Sequence, residues 1–284
     1  PDNTFDIKRL DVITDDIFRK CTEPYRTFTA DSPDKILIID ICTFFLTVVA
    51  AAVVRSSIKT SKPSNPEPFF KSMKEGWQAV SGNKGLLVLV VVSSLICLFM
   101  GVFQVLGEPF VLSFADSKTL GIVETAAASG MLVTSIILGI KGIKKNFARV
   151  LSIGLAVSGV GMALFAVTRN VYIICAFGFV FFAALPFANN CLDYLVRINI
   201  APELQGRAWA FLGFISQLGY VVSYGLSGVT ADAVGKLTGE GVGTGSSITI
   251  IGSGICLVIV ALVMLGIKKI RELEKEAALK ALEA

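Results

Sequence analysis

Apolar residues in this chain gather into long blocks separated by short charged connections, and within the blocks they do not alternate with polar ones. Seven such blocks stand out, at 36–54, 85–107, 119–140, 148–167, 171–192, 208–230 and 246–267. Each is close to the roughly 20 residues a helix needs to cross about 30 Å of hydrocarbon at about 1.5 Å per residue. Lipid offers backbone groups no hydrogen-bond partner, so a spanning segment is either helical or part of a closed barrel whose strands alternate in polarity. Stretches such as 86–92 do not alternate. The pattern therefore predicts an all-α membrane protein with about seven transmembrane helices.

The connections divide the chain further. A polar segment, 1–34, precedes the first helix at 35–55. The connection 56–84 carries Pro63, Pro66 and Pro68, which resist helix and mark a linker. Behind them Phe69, Phe70, Met73, Trp77 and Val80 recur near helical spacing, with Lys71, Lys74 and Glu75 elsewhere. That predicts a short amphipathic helix lying on the membrane surface. The remaining six blocks have short connections and predict one packed bundle over 85–267. The tail 268–284 mixes charges with Leu and Ala in helix-favouring composition, and is expected to extend the last span as a cytoplasmic helix. Small residues recur every four positions at Ala126, Gly130 and Thr134, at Gly154 and Ser158, and at Ser223 and Ser227. Such faces allow close helix contact, and packing explains them without a ligand.

Composition closes off the soluble alternative: 54% of residues are hydrophobic and 17% charged, against roughly 25% charged in soluble domains. The net charge of +4 does not point to nucleic acid, because the basic residues sit in the connections rather than on one face. They report orientation instead. Residues 55–84 hold six Lys and Arg, 141–149 four, 197–207 two and the tail five, while the alternate connections hold only Lys118, Arg169 and Lys236. Short basic loops stay in the cytoplasm. The linker and C-terminus are thus expected inside the plasma (inner) membrane, leaving 1–34 outside as a solvated region of a longer chain.

The chain has no His, the commonest metal ligand and general base. Cys42, Cys97, Cys175, Cys191 and Cys256 lie inside apolar blocks without CxxC spacing, where Cys acts as a small hydrophobe. No metal site, disulfide framework or cofactor is expected. No phosphate-binding loop of the Gly-x-x-x-x-Gly-Lys-Ser/Thr kind is present, so ATP is not the implied energy source. Nor does any residue spacing suggest an enzyme.

Acidic residues inside the blocks are the first candidates for chemistry: Asp40, Glu124 and Asp193. An ionisable group within a span is costly and calls for a function, and an acid kept from water can exchange protons near neutral pH. Asp193 has Arg197 one turn later, an i,i+4 pair that suits a structural or gating role. Glu124 is surrounded by small residues that could border a cavity, which makes it a candidate for proton coupling or substrate binding, although a structural hydrogen bond is the more ordinary role for such a residue. Gln217, Tyr220 and Tyr224 share one helical stripe, and an amide beside two phenols suits a large, partly apolar ligand as well as it suits helix-to-helix bonding. Asn189 and Asn190, just after Pro186, make a similar polar break in the preceding block.

The run Pro202, Glu203, Gly206 and Arg207 in a connecting loop over 199–208, followed by Phe214, Gln217 and Tyr220, resembles the macrolide-efflux-like branch of the major facilitator superfamily. In that branch a Pro-Glu-x-x-Gly-Arg loop precedes the eleventh of twelve helices. Ile38, Ile39 and Asp40 with Phe44 and Phe45 are similar to the start of its sixth helix. The resemblance implies helices six to twelve, a C-terminal six-helix bundle plus one preceding helix. It implies a secondary active transporter, an antiporter exporting amphipathic, drug- or macrolide-like small molecules with the proton as coupling ion. It also implies gating or structural roles for Glu203, Arg207 and Arg149. The loop 139–149 departs from the superfamily's Gly-x-x-x-Asp-Arg motif, having Lys141, Lys144, Lys145 and Arg149 but no acidic partner. The implied partners are the lipid bilayer, a small-molecule substrate and a missing N-terminal half or second chain, since the substrate lies between two halves. Two other readings stand beside this one: a truncated half that does not transport without a partner, and a seven-helix receptor. The last span offers no Lys that could hold retinal.

Overall fold

The structure, a computed structural model, describes residues 33–57, 69–143, 145–267, 270 and 272–274. The polar segment 1–32, the proline-rich part of the linker, Lys144 and the tail beyond 274 lie outside the described residues. The chain forms two units, divided after Pro66.

Among the described residues the first unit contributes one helix, α1 (Pro33–Ser57). Its hydroxyls turn back on their own backbone: Thr43 Oγ1 donates to the Asp40 carbonyl and Thr47 Oγ1 to that of Thr43, each at 2.9 Å. A polar side chain is thereby satisfied within the helix.

The second unit contains α2 (Phe69–Ser81), α3 (Lys84–Leu112), α4 (Ser117–Lys141), α5 (Phe147–Phe165), α6 (Val171–Ile198), α7 (Pro202–Thr238) and α8 (Val242–Gly266). The six helices α3 to α8 are long and apolar enough to cross a membrane. Their starts follow local chemistry. Asn83 Oδ1 accepts from Gly85 N at 2.8 Å, Asn170 Oδ1 from Tyr172 N at 3.0 Å, and Asp116 Oδ1 from Thr119 N at 2.9 Å. Each of these side chains satisfies an orphan donor of a first turn.

The bundle is built from neighbouring pairs: α4 on α6, α6 on α5, α5 on α8, and α3 wedged against both α7 and α8. Small residues set the closest approaches. A Cβ at Gly130 of α4 would strike the Phe179 carbonyl of α6. On α5, a Cβ at Gly159 would lie 2.8 Å from the Gly254 carbonyl of α8. The core has two parts. One gathers Leu86, Leu89, Leu151, Leu195 and Phe211 at the α2 end. The other centres on Phe103 of α3, whose ring lies 4.9 Å from that of Phe165 on α5 and 4.7 Å from that of Phe181 on α6.

Three boundaries differ from the expected ones. The segment 199–208, expected as a loop, is helical from Pro202 onward: proline is tolerated at the first helical position, where its missing N–H costs nothing. The resulting 37-residue α7 is about 55 Å long. Helix α3 continues to Leu112, with Pro109 inside it, rather than stopping at 107. The tail does not simply prolong the last span. α8 ends at Gly266, Ile267 is extended with φ −77° and ψ 103°, and Ile270 and Leu273 are buried in the core cluster at the α2 end.

Helix α2 is docked on the first turns of α7. Gly76 permits the approach, since a Cβ there would lie 2.5 Å from the Arg207 carbonyl and 2.8 Å from Phe211 Cβ. Trp77 meets Phe211 edge-on at 5.6 Å, and Glu75 pairs with Arg207.

Candidate functional site

The polar side chains of the spans converge where α3 packs against α7. Ser93, Cys97, Gly101 and Gln104 repeat at three- and four-residue intervals on α3, and therefore share one face. Opposite them stand Ser216, Tyr220, Ser223, Tyr224 and Ser227 of α7. Ser93 Oγ and Ser216 Oγ are 2.7 Å apart, and Ser94 Oγ donates to the Ile215 carbonyl at 3.3 Å. Cys97 faces Ser216 and Tyr220. The Tyr224 hydroxyl donates to Gln104 Oε1 at 2.7 Å. The rings of Tyr220 and Tyr224 sit 5.8 Å apart, tilted by 39°. At Gly101 the helices touch: a Cβ there would lie 2.7 Å from Ser223 Oγ and 3.2 Å from the Tyr220 ring.

From Ser93 to Gln104 this seam runs about 16 Å along the helix. It is not sealed. Tyr220 is half-buried, Tyr224 is 50% exposed, and Gln104 and Gln217 are exposed. Uncharged hydroxyls, amides and aromatic rings on an open face of an otherwise apolar span can bind a large ligand through both rings and hydrogen bonds. Sequence reading placed Gln217, Tyr220 and Tyr224 on one stripe but missed their partners Ser93, Cys97 and Gln104. It also missed Glu108, one turn beyond Gln104 and exposed, because the apolar block ended at 107. Their common signal was the four-residue rhythm of polar positions within an apolar block.

The other candidates stand apart from the seam. Glu124 is exposed on α4, a helix that packs on α6. Asn189 is exposed, and Asn190 Nδ2 donates to the Pro186 carbonyl at 2.9 Å. Asn190 also borders a cavity of about 160 Å³ with Leu138, Gly142, Ile143, Phe147 and Tyr194. Asp193 and Arg197 are exposed one turn apart on α6, and the guanidinium attracts the carboxylate through space. Asp40 is exposed on α1 and Glu203 in the first turn of α7. Arg207 is held by Glu75. Arg149 is exposed at the edge of a cavity of about 270 Å³ whose wall includes Asn146, Ala148 and Glu274. Among the described residues no group of three His, Cys, Asp or Glu could hold a metal ion.

No family model matches the chain. Two relatives do. Macrolide efflux protein A of Streptococcus pyogenes is 24% identical over 210 residues, covering 70% of this chain and 51% of that protein. Macrolide efflux protein A of Enterococcus faecalis is 23% identical over 193 residues, covering 64% of this chain and 58% of its own length. The chain thus spans about half the length of the curated relatives it matches. With its helical membrane bundle and its Pro202 to Arg207 motif, the chain is a distant homologue of the macrolide efflux proteins, consistent with the macrolide-efflux-like branch of the major facilitator superfamily.

Proposed function

We propose that the chain is the C-terminal part of a secondary transporter that exports amphipathic small molecules, macrolides among them, in exchange for protons. The observation that carries this reading is the open polar seam between α3 and α7, an unsealed set of hydroxyls, amide and phenols within membrane-spanning helices. The likeness to macrolide efflux proteins supports it independently. A seam open on one side is one wall of a site. The opposite wall would come from a preceding half or a second chain, as in transporters that bind substrate between repeats. Glu124 is the proposed coupling residue, and Asp40 the next candidate. Arg149, Asp193, Arg197, Glu203 and the Arg207–Glu75 pair are proposed to act structurally or as gates at the ends of the helices. The linker, α2 and the C-terminus are assigned to the cytoplasmic side of the plasma membrane.

The test is accumulation of a radiolabelled macrolide in cells expressing the chain together with a matching N-terminal half. Lower accumulation than in cells with either part alone, abolished by a protonophore, is expected. Equal accumulation in all of them would remove the export reading.

A further inference from the structure

The helix that follows the loop 139–149 is capped by a carboxylate from the tail. Asn146, at the start of α5, is left-handed with φ 60° and makes no capping bond with its side chain. Glu274 takes its place: Phe147 N donates to Oε1 at 2.8 Å and Ala148 N to Oε2 at 3.3 Å. A carboxylate at a helix N-terminus satisfies orphan donors and faces the positive end of the helix dipole. Phe147 and Ala148 are both buried, so removing the carboxylate would leave their N–H groups with little water to turn to. The tail is braced for this contact. Leu273 is buried, and its side chain fits against Gly85 at the start of α3, where a Cβ would lie 2.6 Å away. The extended residue Ile267 breaks the line of α8 just before it.

The first turn of α5 is buried at Phe147 and Ala148, with the Phe147 ring stacked on Tyr194 at 3.8 Å, and an open cleft lies on either side of it. The cavity of about 270 Å³ lined by Asn146, Ala148, Arg149 and Glu274 lies on one side. The cavity of about 160 Å³ lined by Phe147, Asn190 and Tyr194 lies on another. A turn flanked by two open clefts has room to shift once its anchor lets go. Beneath the contact is Cys191 of α6, fully buried in the same core cluster as Phe147, Ala148 and Leu273.

We propose that Glu274 is a positioning residue, a latch that clamps the first turn of α5 to the tail and releases it during the transport cycle, opening the Arg149 end of the bundle. The proposal rests on the transporter reading for the cycle, and on the structure for the clamp. Cys191 reports on the clamp without any transport assay. With the other cysteines replaced by Ser and the protein in membranes, alkylation of Cys191 by a small permeant maleimide should be slow. It should rise about tenfold in Glu274→Gln and should also rise in the native sequence when a macrolide is added. Equal rates in Glu274→Gln and native protein would overturn the latch. Should Glu274→Gln melt far below the native protein, a cysteine-free background carrying Ala148→Cys and Glu274→Cys decides instead. Oxidation to a disulfide should stop macrolide export and reduction should restore it, whereas undiminished export while cross-linked would show the contact static and the proposal wrong. Absence of export even before oxidation would strike the transporter reading, leaving the change in Cys191 labelling of the native sequence on adding macrolide to judge the clamp, an unchanged rate overturning it.

Discussion

At the seam, one hydroxyl distinguishes a packing role from a binding role for Tyr224. Its donation to Gln104 Oε1 joins α7 to α3, and interhelical bonds of this kind average only about 0.6 kcal/mol in membranes. Tyr224→Phe keeps the ring beside Tyr220 and should therefore leave the melting temperature nearly unchanged. Substrate bound through that hydroxyl would lose a hydrogen bond worth about 1 kcal/mol, a roughly fivefold rise in KM for export. An unchanged KM assigns Tyr224 to packing alone. Glu124 calls for a different substitution. Glu124→Gln keeps the shape and one accepting oxygen but cannot titrate. It should bind substrate while losing gradient-driven accumulation, measured as efflux against pH, and an unaltered pH profile in well-expressed protein would pass the role to Asp40. Residue choice was legible only in part. Tyr220 and Tyr224 announce themselves by spacing on one helix, but Ser93 finds its partner 123 positions away. Glu274 finds its own 127 positions away. Nothing in a local pattern connects such pairs.

Among the elements, the helices were readable from the sequence because each apolar block is long enough to be little else. Their ends were not, because capping and end residues are polar or helix-breaking and look like loop. Pro202 reads as a breaker yet begins α7. Ile267 sits in an apolar run yet is extended. Packing faces give a sharper test. Gly130→Val places a side chain against the Phe179 carbonyl and should cost about 1–3 kcal/mol through overpacking between α4 and α6. Gly121→Ala on the same helix meets nothing within 4 Å and should be neutral or mildly stabilising. Thermal unfolding in detergent separates the two, and equal losses would contradict the packing described. The start of α4 should respond to acid. Asp116 accepts from the Thr119 hydroxyl at 2.6 Å and from its N–H at 2.9 Å, and these bonds hold its carboxyl below the usual carboxylate range. Its folded pKa is lowered, so its contribution is complete above about pH 4, the unfolded value. It fades as pH falls through the lowered one. Asp116→Ala should accordingly lower stability at neutral pH and close most of that gap in strong acid.

For the whole molecule, the distribution of Lys and Arg carries the orientation. It predicts Lys71 on the cytoplasmic side and Lys118 and Lys236 on the outer side. Single-cysteine labelling of intact cells should modify positions 118 and 236 but not 71, and the reverse pattern would invert the topology. The six-helix bundle could be anticipated from hydropathy, and the α2 helix from its amphipathic spacing. The docking of α2 on α7 through Gly76 and the burial of Ile270 and Leu273 in the core could not, since both depend on shape complementarity between distant segments. Above all stands the proposal that substrate is met along α3 and α7. Photoaffinity mapping tests it most directly, with a macrolide carrying a small photoreactive group irradiated with the protein in membranes and the adducts located by peptide mass. The account predicts adducts on the segments 93–104 and 216–224 that unlabelled macrolide competes away. Competed adducts confined to other helices, with none on these two, would contradict it.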